Sequence, residues 1–168
     1  AFNIIDYATL QAVVDAAEEQ SSPAIIQTSA GSMVKYYGCK AIVDMVTSAV
    51  GDSRIPFALH LDHCKDLEMV FNCIDSGWTS VMYDGSSFPF EENLEDSKRV
   101  VEKAHAKGVS VEGEIGAVWG VEDDISVEEN EDLLADPDKA VRYARETGVD
   151  AFAPAIGTAH GLYKGEPK

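Results

Sequence analysis

The stretch FALHLDHCKDLEMVFNCIDSGWTSVMYDG, residues 57–85, places a strand, a helix and a second strand in direct succession. Its first part is an apolar run, and its middle carries apolar residues at helical spacing from Leu67 to Ile74. Gly77 lies where that helix should end, and a glycine there can adopt the left-handed conformation that stops a helix. The stretch therefore predicts a β–α–β unit whose two strands run parallel.

The same unit recurs along the chain. Four segments carry apolar residues at i, i+3, i+4 and i+7, beginning at Leu10, Ile42, Leu67 and Pro137, and a more polar helix is predicted from about Glu92 to Ala106. The β-rich runs between them cover residues 1–4, 23–29, 56–62, 79–85, 109–116 and 150–157. Regular alternation of apolar strands and amphipathic helices predicts an α/β fold with a parallel sheet covered by helices.

Two α/β architectures fit this pattern, a doubly wound open sheet and a closed (β/α)8 barrel. Both place their chemistry at the carboxyl ends of the strands. No glycine-rich phosphate fingerprint follows the first strand; instead, polar residues end several strands, namely His60, Asp62, His63, Asp84, Glu112, Glu114 and His160. Polar groups that converge from several strand ends are typical of the TIM barrel, which we therefore predict.

The predicted barrel is incomplete. The sequence provides about six βα units, whereas a complete barrel has eight and about 250 residues. The first strand begins at the start of the chain, and Lys168 falls in the loop expected after the sixth strand. We therefore expect residues 1–168 to form a single barrel domain whose C-terminal part is missing.

Charge and cysteine content exclude several classes of partner. Thirty acidic residues against thirteen basic ones give a net charge of −17, whereas nucleic acids and anionic membranes both require a basic surface. A phosphorylated small molecule is compatible with this charge, because helix N-termini and a few lysines can hold a phosphate. The three cysteines form no C-x-x-C motif, which predicts reduced thiols and a cytoplasmic protein.

His63 and His160 each follow an apolar strand, so a barrel brings them to the same rim. They could ligate a metal such as zinc, or they could be rim histidines that hydrogen-bond to the backbone. Asp62 could be an acid–base group, a partner of a metal ligand or a structural carboxylate. His60 shares the strand parity of Asp62 and is expected to be a packed, hydrogen-bonded support.

A pair of carboxylates and a long connection follow in the fifth strand region. Glu112 and Glu114 share one strand face, and residues 117–136 read as a long loop of the kind that forms lids or binding loops. Glu122 lies where this loop could bring a base over the rim. No lysine falls inside a predicted strand, which disfavours a lysine imine, and no base is placed to make Cys64 a nucleophile.

Six segments, taken in order along the whole chain, are similar to one family. AFN, ALHLDH, DGSSFPFEEN, VEGEIG, GVEDD and AIGTAHGLYK resemble the class II, zinc-dependent ketose-bisphosphate aldolases, which have the (β/α)8 fold. The resemblance implies reversible aldol cleavage of a ketose 1,6-bisphosphate, with fructose 1,6-bisphosphate as the first candidate, to dihydroxyacetone phosphate and glyceraldehyde 3-phosphate. It implies Zn2+ as cofactor, with an additional monovalent cation as a second candidate.

The resemblance also implies roles for residues at the rim. His63 and His160 match the zinc histidines of the family, and Glu114 matches a glutamate that ligates zinc in an alternative, buried position. Asp62 matches the carboxylate that moves the proton of the C4 hydroxyl, and Glu122 matches a loop acid that transfers a proton at the nucleophilic carbon. These assignments fit the chemistry, since cleavage beside a carbonyl needs stabilisation of negative charge and a group that moves the hydroxyl proton.

For substrate binding, the resemblance implies Asn3 in the substrate pocket and Gly161 and Lys164 at a substrate phosphate. The sequence departs from the family in two respects. The third zinc histidine and a further phosphate motif are absent, so we expect this chain alone to bind zinc weakly and to turn over poorly. The spelling WGVED in residues 119–123 is closer to tagatose-type than to fructose-type relatives.

Two other interpretations compete with the aldolase. One is another barrel metal-dependent enzyme, such as a hydrolase that activates water with the same residues. The other is a non-catalytic module that binds a phosphorylated sugar. In each case the expected ligand is a small phosphorylated molecule, with neither nucleic acid nor membrane as partner, and a homo-oligomer, dimer or tetramer, is expected.

Overall fold

The computed structural model describes residues 1–117, 119–122, 125–127 and 134–160, with backbone only for residues 119–122, 125–127 and 159–160. The strands are β1 (Phe2–Asn3), β2 (Ala24–Ser29), β3 (Phe57–Cys64), β4 (Ser80–Tyr83), β5 (Ser110–Ile115), β6 (Trp119–Glu122), β7 (Ile125–Val127), β8 (Ala151–Pro154) and β9 (Ala159–His160). Six of them form one parallel sheet in the order β1-β2-β3-β4-β5-β8, curled into a half-barrel. The predicted parallel α/β fold is confirmed.

Helices cover the outer face of this sheet. They are α1 (Tyr7–Glu19), α2 (Lys35–Tyr37), α3 (Cys39–Val50), α4 (Leu67–Ser76), α5 (Phe90–His105) and α6 (Pro137–Thr147), and a π-helical turn at Ala30–Val34 leads into α2. Local sequence explains several helix ends. Asp66 caps α4 by accepting from two backbone amides, and Asp136 caps α6 ahead of a proline at the first turn. Gly77 and Gly148 end α4 and α6 in the left-handed conformation.

The hydrophobic core lies between the sheet and the helices. Leu59 and Leu61 of β3 are 4% and 0% exposed, and they pack in one cluster with apolar residues of α1, α3, α4 and α5. The other face of the sheet is the inner face of the half-barrel, and it carries the polar residues His60 and Asp62. The core therefore fixes the strands from one side and leaves their polar side chains to converge on the other.

The prediction for residues 117–136 is wrong in part. β6 and β7 pair antiparallel within this segment, and β9 joins β6 in parallel to complete a small second sheet. The many acidic residues suggested a solvated loop, but the β-prone residues between them, such as Val121 and Ile125, supply enough strand propensity to pair. In the described part of the chain, no helix has the length and apolar character needed to cross a membrane.

Candidate metal and catalytic site

A β-bulge at the end of β3 determines where His63 points. Leu61 pairs with Val81, but the register then shifts so that Cys64 pairs with Tyr83. Leu61 and Cys64 both enter the core behind the sheet, so the residues between them, Asp62 and His63, are both left for the inner face. His63 has φ 40°, in the left-handed region that non-glycine residues seldom adopt. Such local strain occurs where the surrounding structure holds a functional side chain in place.

Three side chains from neighbouring strand ends meet at this point. His63 Nδ1 lies 3.3 Å from Asp84 Oδ2 and 3.7 Å from Glu114 Oε2. The three ligand atoms all lie within 4.8 Å of one another, and Asp84 and Glu114 are buried. One imidazole nitrogen and two carboxylate oxygens are a donor set that suits zinc and other first-row divalent cations. We call these three residues the metal cluster.

The electrostatics of the metal cluster favour a cation at its centre. The hydrogen bond with Asp84 raises the pKa of His63 to about 9, although burial alone would lower it. The negative charges of Asp62 and Glu114 also raise this pKa. Burial alone would raise the pKa of Asp84, but its hydrogen bonds with His63 and Ser86 lower it overall. The site thus holds a proton tightly, and a metal ion that binds there must displace it.

Asp62 lies directly beside the metal cluster and is 9% exposed. Gln27 of the neighbouring strand β2 donates a hydrogen bond from Nε2 to Asp62 Oδ2 at 3.0 Å. Because this bond spans two strands of the sheet, it fixes the direction of the carboxylate toward the rim. An oriented carboxylate next to a metal cluster can accept and return a proton of a bound hydroxyl group.

His60 behaves as the packed support that its parity predicted. Its Nδ1 shares a hydrogen bond of 2.7 Å with Ser80 Oγ, and its Nε2 lies 3.6 Å from Glu112 Oε2. Burial lowers the pKa of His60 and raises the pKa of Glu112. Cys64 is also structural, since it is fully buried and burial raises the pKa of its thiol to about 11.

The other residues predicted for the site are described in part or not at all. Asn3 is exposed at the end of β1 and pairs in register with Gln27 of β2, the strand that lies between β1 and the strand of Asp62. Glu122 and His160 lie in β6 and β9, whose backbones pair side by side, but their side chains are outside the described residues. Gly161 and Lys164 lie wholly outside the described residues.

Asp84 and Gln27 received no role from the sequence. Asp84 was recognised only as one polar strand end among several, although it follows β4, the strand that lies between those of His63 and Glu114. The strand order of a barrel follows chain order, so the end of β4 could have been placed between its neighbours in advance. Gln27 lies in a largely apolar strand, residues 23–29, and a polar side chain at this position indicates a contact on the inner face of the sheet.

Comparison with known proteins gives a consistent result. A family model described as "Fructose-bisphosphate aldolase class-II" matches residues 1–168. The chain is 47% identical over 171 residues to the fructose-bisphosphate aldolase of Helicobacter pylori (strain ATCC 700392 / 26695), covering 100% of this chain and 55% of the relative. It is 47% identical over 169 residues to that of Geobacillus stearothermophilus, covering 99% and 58%. The chain thus spans a little over half the length of these curated relatives.

Solved structures show the same similarity. The chain superposes on the YdjI aldolase of Escherichia coli K12 with a TM-score of 0.80 and 34% identity, covering 99% of this chain and 57% of that one. It superposes on a putative fructose-1,6-biphosphate aldolase of Coccidioides immitis with a TM-score of 0.82 and 32% identity, covering 96% and 56%.

Proposed function

The chain belongs to the class-II fructose-bisphosphate aldolase family, and on that premise we propose that the protein is a metal-dependent aldolase. It cleaves fructose 1,6-bisphosphate reversibly to dihydroxyacetone phosphate and glyceraldehyde 3-phosphate. The observation that carries the proposal is the position of the metal cluster, His63 with Asp84 and Glu114, directly beside Asp62 at the carboxyl ends of adjacent parallel strands. These strand ends are where a barrel enzyme places its chemistry.

The residues present fit a zinc ion. We assign His63 and His160 as zinc ligands, with Glu114 as the ligand of an alternative, buried position and Asp84 as the group that orients His63 through their 3.3 Å contact. When bound, the ion supplies a Lewis acid that stabilises negative charge developing on the substrate carbonyl oxygen. Asp84 and Glu114 balance the charge of that ion in a largely buried site.

The remaining steps fall to side chains of the chain itself. Asp62 takes the proton from the C4 hydroxyl during cleavage and returns it to the aldehyde oxygen during condensation. Gln27 holds the Asp62 carboxylate in the direction needed for that transfer. Glu122 transfers a proton at the nucleophilic carbon. Asn3, Gly161 and Lys164 bind the substrate, the last two at a phosphate group.

The distribution of lysines supports metal rather than imine chemistry. An aldolase that works through an imine needs a lysine whose pKa is lowered by burial in the barrel interior. No strand of the main sheet, in the part of the chain that the structure describes, contains a lysine. This distribution supports the proposal that a metal ion, and not an imine, is the electrophile.

The proposal is tested with the zinc-loaded protein at its full native length. Fructose 1,6-bisphosphate and tagatose 1,6-bisphosphate are offered separately, and the release of dihydroxyacetone phosphate is followed with a coupled dehydrogenase. We expect cleavage, faster for fructose 1,6-bisphosphate, and no inactivation by borohydride in the presence of dihydroxyacetone phosphate. Binding of dihydroxyacetone phosphate without cleavage of either substrate would instead indicate a non-catalytic sugar-phosphate module. Borohydride inactivation would indicate a lysine imine.

A further inference from the structure

A buried polar cluster lies behind the metal cluster, between helices α5 and α6. It consists of Asn93, Ser97 and Tyr143, which are 2%, 0% and 0% exposed. Tyr143 and Ser97 share a hydrogen bond of 2.6 Å, Ser97 Oγ donates to Asn93 Oδ1 at 3.2 Å, and Asn93 Nδ2 donates to the backbone carbonyl of Glu114 at 2.8 Å. Buried hydrogen bonds in series reinforce one another, so these three linked side chains form a rigid support. We call it the Asn93 cluster.

Asn93 ties helix α5 to the backbone of β5, because its side chain donates to the carbonyl of Glu114. Along β5, backbone groups of Val111 and Ile115 bond toward β8, so the alternate residues, including Glu114, face β4. The pairing of β4 with β5 ends at Tyr83 and Gly113, one residue before Glu114. Asn93 therefore holds the backbone of Glu114 one residue beyond the end of that pairing, and its removal costs a buried hydrogen bond.

The Asn93 cluster also contacts the backbone at the glycines next to both carboxylates of the metal cluster. A Cβ atom on Gly85, the residue after Asp84, would lie 2.2 Å from Asn93 Oδ1. A Cβ atom on Gly113, the residue before Glu114, would lie 2.4 Å from the hydroxyl oxygen of Tyr143. Both positions accept only glycine at this distance, so the cluster contacts the backbone of the two strand ends without intervening side chains.

The Tyr143 ring is held in place from its other sides. Phe152 stacks on it with ring centroids 5.4 Å apart, and Phe90 contacts it at 6.4 Å in a tilted arrangement. Its phenol stays protonated because burial raises the pKa of Tyr143 to about 12. The protonated hydroxyl can therefore take part in the hydrogen bonds of the Asn93 cluster.

We propose that the Asn93 cluster positions Glu114 as a metal ligand and Asp84 as the group that orients His63, so that Asn93, Ser97 and Tyr143 are positioning residues of the metal cluster. The inference rests on the proposed function, since it takes the metal cluster to be the metal-binding site. All three side chains are buried, so they are assigned a positioning role and no catalytic one. They act by fixing the backbone on which the two carboxylates stand, and side chains that orient metal ligands typically change metal affinity when they are removed.

The test compares three variants of the full-length protein with wild type. N93A removes the donor to Glu114, and Y143F removes the buried hydroxyl by which Tyr143 takes part in the Asn93 cluster. T147V is the matched control, because it removes another buried hydroxyl of α6, whose hydrogen bonds are to the backbone of Tyr143 and Val149 and not to the side chains of the Asn93 cluster. Zinc affinity is measured by competition with a chromogenic chelator, and the melting temperature is recorded without metal.

We expect N93A to weaken zinc binding by roughly 10- to 100-fold and Y143F by about fivefold, whereas T147V should bind zinc like wild type even if its melting temperature falls. Zinc affinity of folded N93A equal to wild type would overturn the inference and leave the proposed function standing. If N93A does not fold, the comparison of Y143F with T147V decides, and equal zinc affinities would overturn the inference. If wild type itself binds no zinc, the proposed function fails, and the inference with it.

Discussion

Gln27 Nε2 donates a hydrogen bond of 3.0 Å to Asp62 Oδ2 from the neighbouring strand. In the register of β2 and β3, Gln27 is opposite His60 and Ser29 is opposite Asp62, so the bond runs diagonally across the two strands on the inner face. Two residues distant in the sequence are thereby held in one geometry by the sheet. The orientation of the proposed proton-transfer group is thus a property of strand pairing as well as of the residue itself.

Replacing Asp62 should remove proton transfer without removing the metal. We expect D62N to lower kcat for fructose 1,6-bisphosphate cleavage by roughly 10²- to 10⁴-fold, because general acid–base groups contribute about that much. Zinc content, measured by metal analysis of the purified protein, should stay at the wild-type level. A variant that keeps more than a tenth of the wild-type kcat would contradict the role given to Asp62.

Replacing Gln27, the hydrogen-bond partner of Asp62, should lower kcat less than replacing Asp62, and only while Asp62 is present. We expect Q27L to lower kcat by about tenfold through loss of one hydrogen bond to a charged group. In the D62N background the same substitution should have little further effect, because the group it orients no longer transfers protons. Steady-state kinetics of the four proteins measure this coupling. Equal losses in the two backgrounds would mean that Gln27 acts independently.

Gly113 should tolerate no side chain. A Cβ atom there would lie 2.4 Å from the Tyr143 hydroxyl, and the buried ring has little room to move. We expect G113A to lower the free energy of unfolding by about 2 kcal/mol, as overpacking in a core does. Because Y143F removes the closest atom, G113A should cost less in that background. Urea denaturation measures both, and an equal cost in the two backgrounds would argue against this contact.

The pH dependence of stability should report the burial of His60. Burial lowers its pKa in the folded protein from the usual 6.5, the charge of His63 acts in the same direction, and the charge of Asp62 opposes this lowering only in part. As the pH falls, His60 of the unfolded chain therefore binds a proton before His60 of the folded protein does. Its contribution to the free energy of unfolding is complete above pH 6.5 and decreases as the pH falls from 6.5 to the lower pKa of the folded state.

The matched variant for this measurement is H60Q, which keeps a polar side chain at the position and does not titrate. Between pH 6.5 and the folded pKa, we expect the free energy of unfolding of wild type to fall relative to H60Q by up to about 1.4 kcal/mol for each pH unit. Denaturant unfolding of both metal-free proteins over this range measures the difference. Parallel curves would show that His60 titrates alike in the folded and unfolded chains.

Much of the fold follows from local sequence signals. The apolar spacing from Leu67 to Ile74 lies within α4, and Gly77 adopts the left-handed cap expected of it, with φ 101°. Each of these features depends only on residues a few positions apart, which is why the sequence predicts them. Strand order follows in turn, because right-handed βαβ units place consecutive strands side by side.

The bulge at His63 could not be predicted in this way. Regular alternation from Leu59 and Leu61 would place His63 on the helix side of the sheet, and only the register shift against β4 brings it to the inner face beside Asp62. A register shift depends on the pairing of two strands, so the sequence of one strand does not contain it. The contact of Gln27 with Asp62 was missed for the same reason.

Catalysis in the proposed function depends on a metal ion held beside Asp62. The most direct measurement removes metal from the full-length protein with a chelator, and then titrates zinc back while the cleavage of fructose 1,6-bisphosphate is followed. We expect the rate to fall to background on chelation, to rise in proportion to added zinc, and to reach its plateau at about one zinc ion per chain. A chelated protein that retains its full rate would show that catalysis does not need the metal.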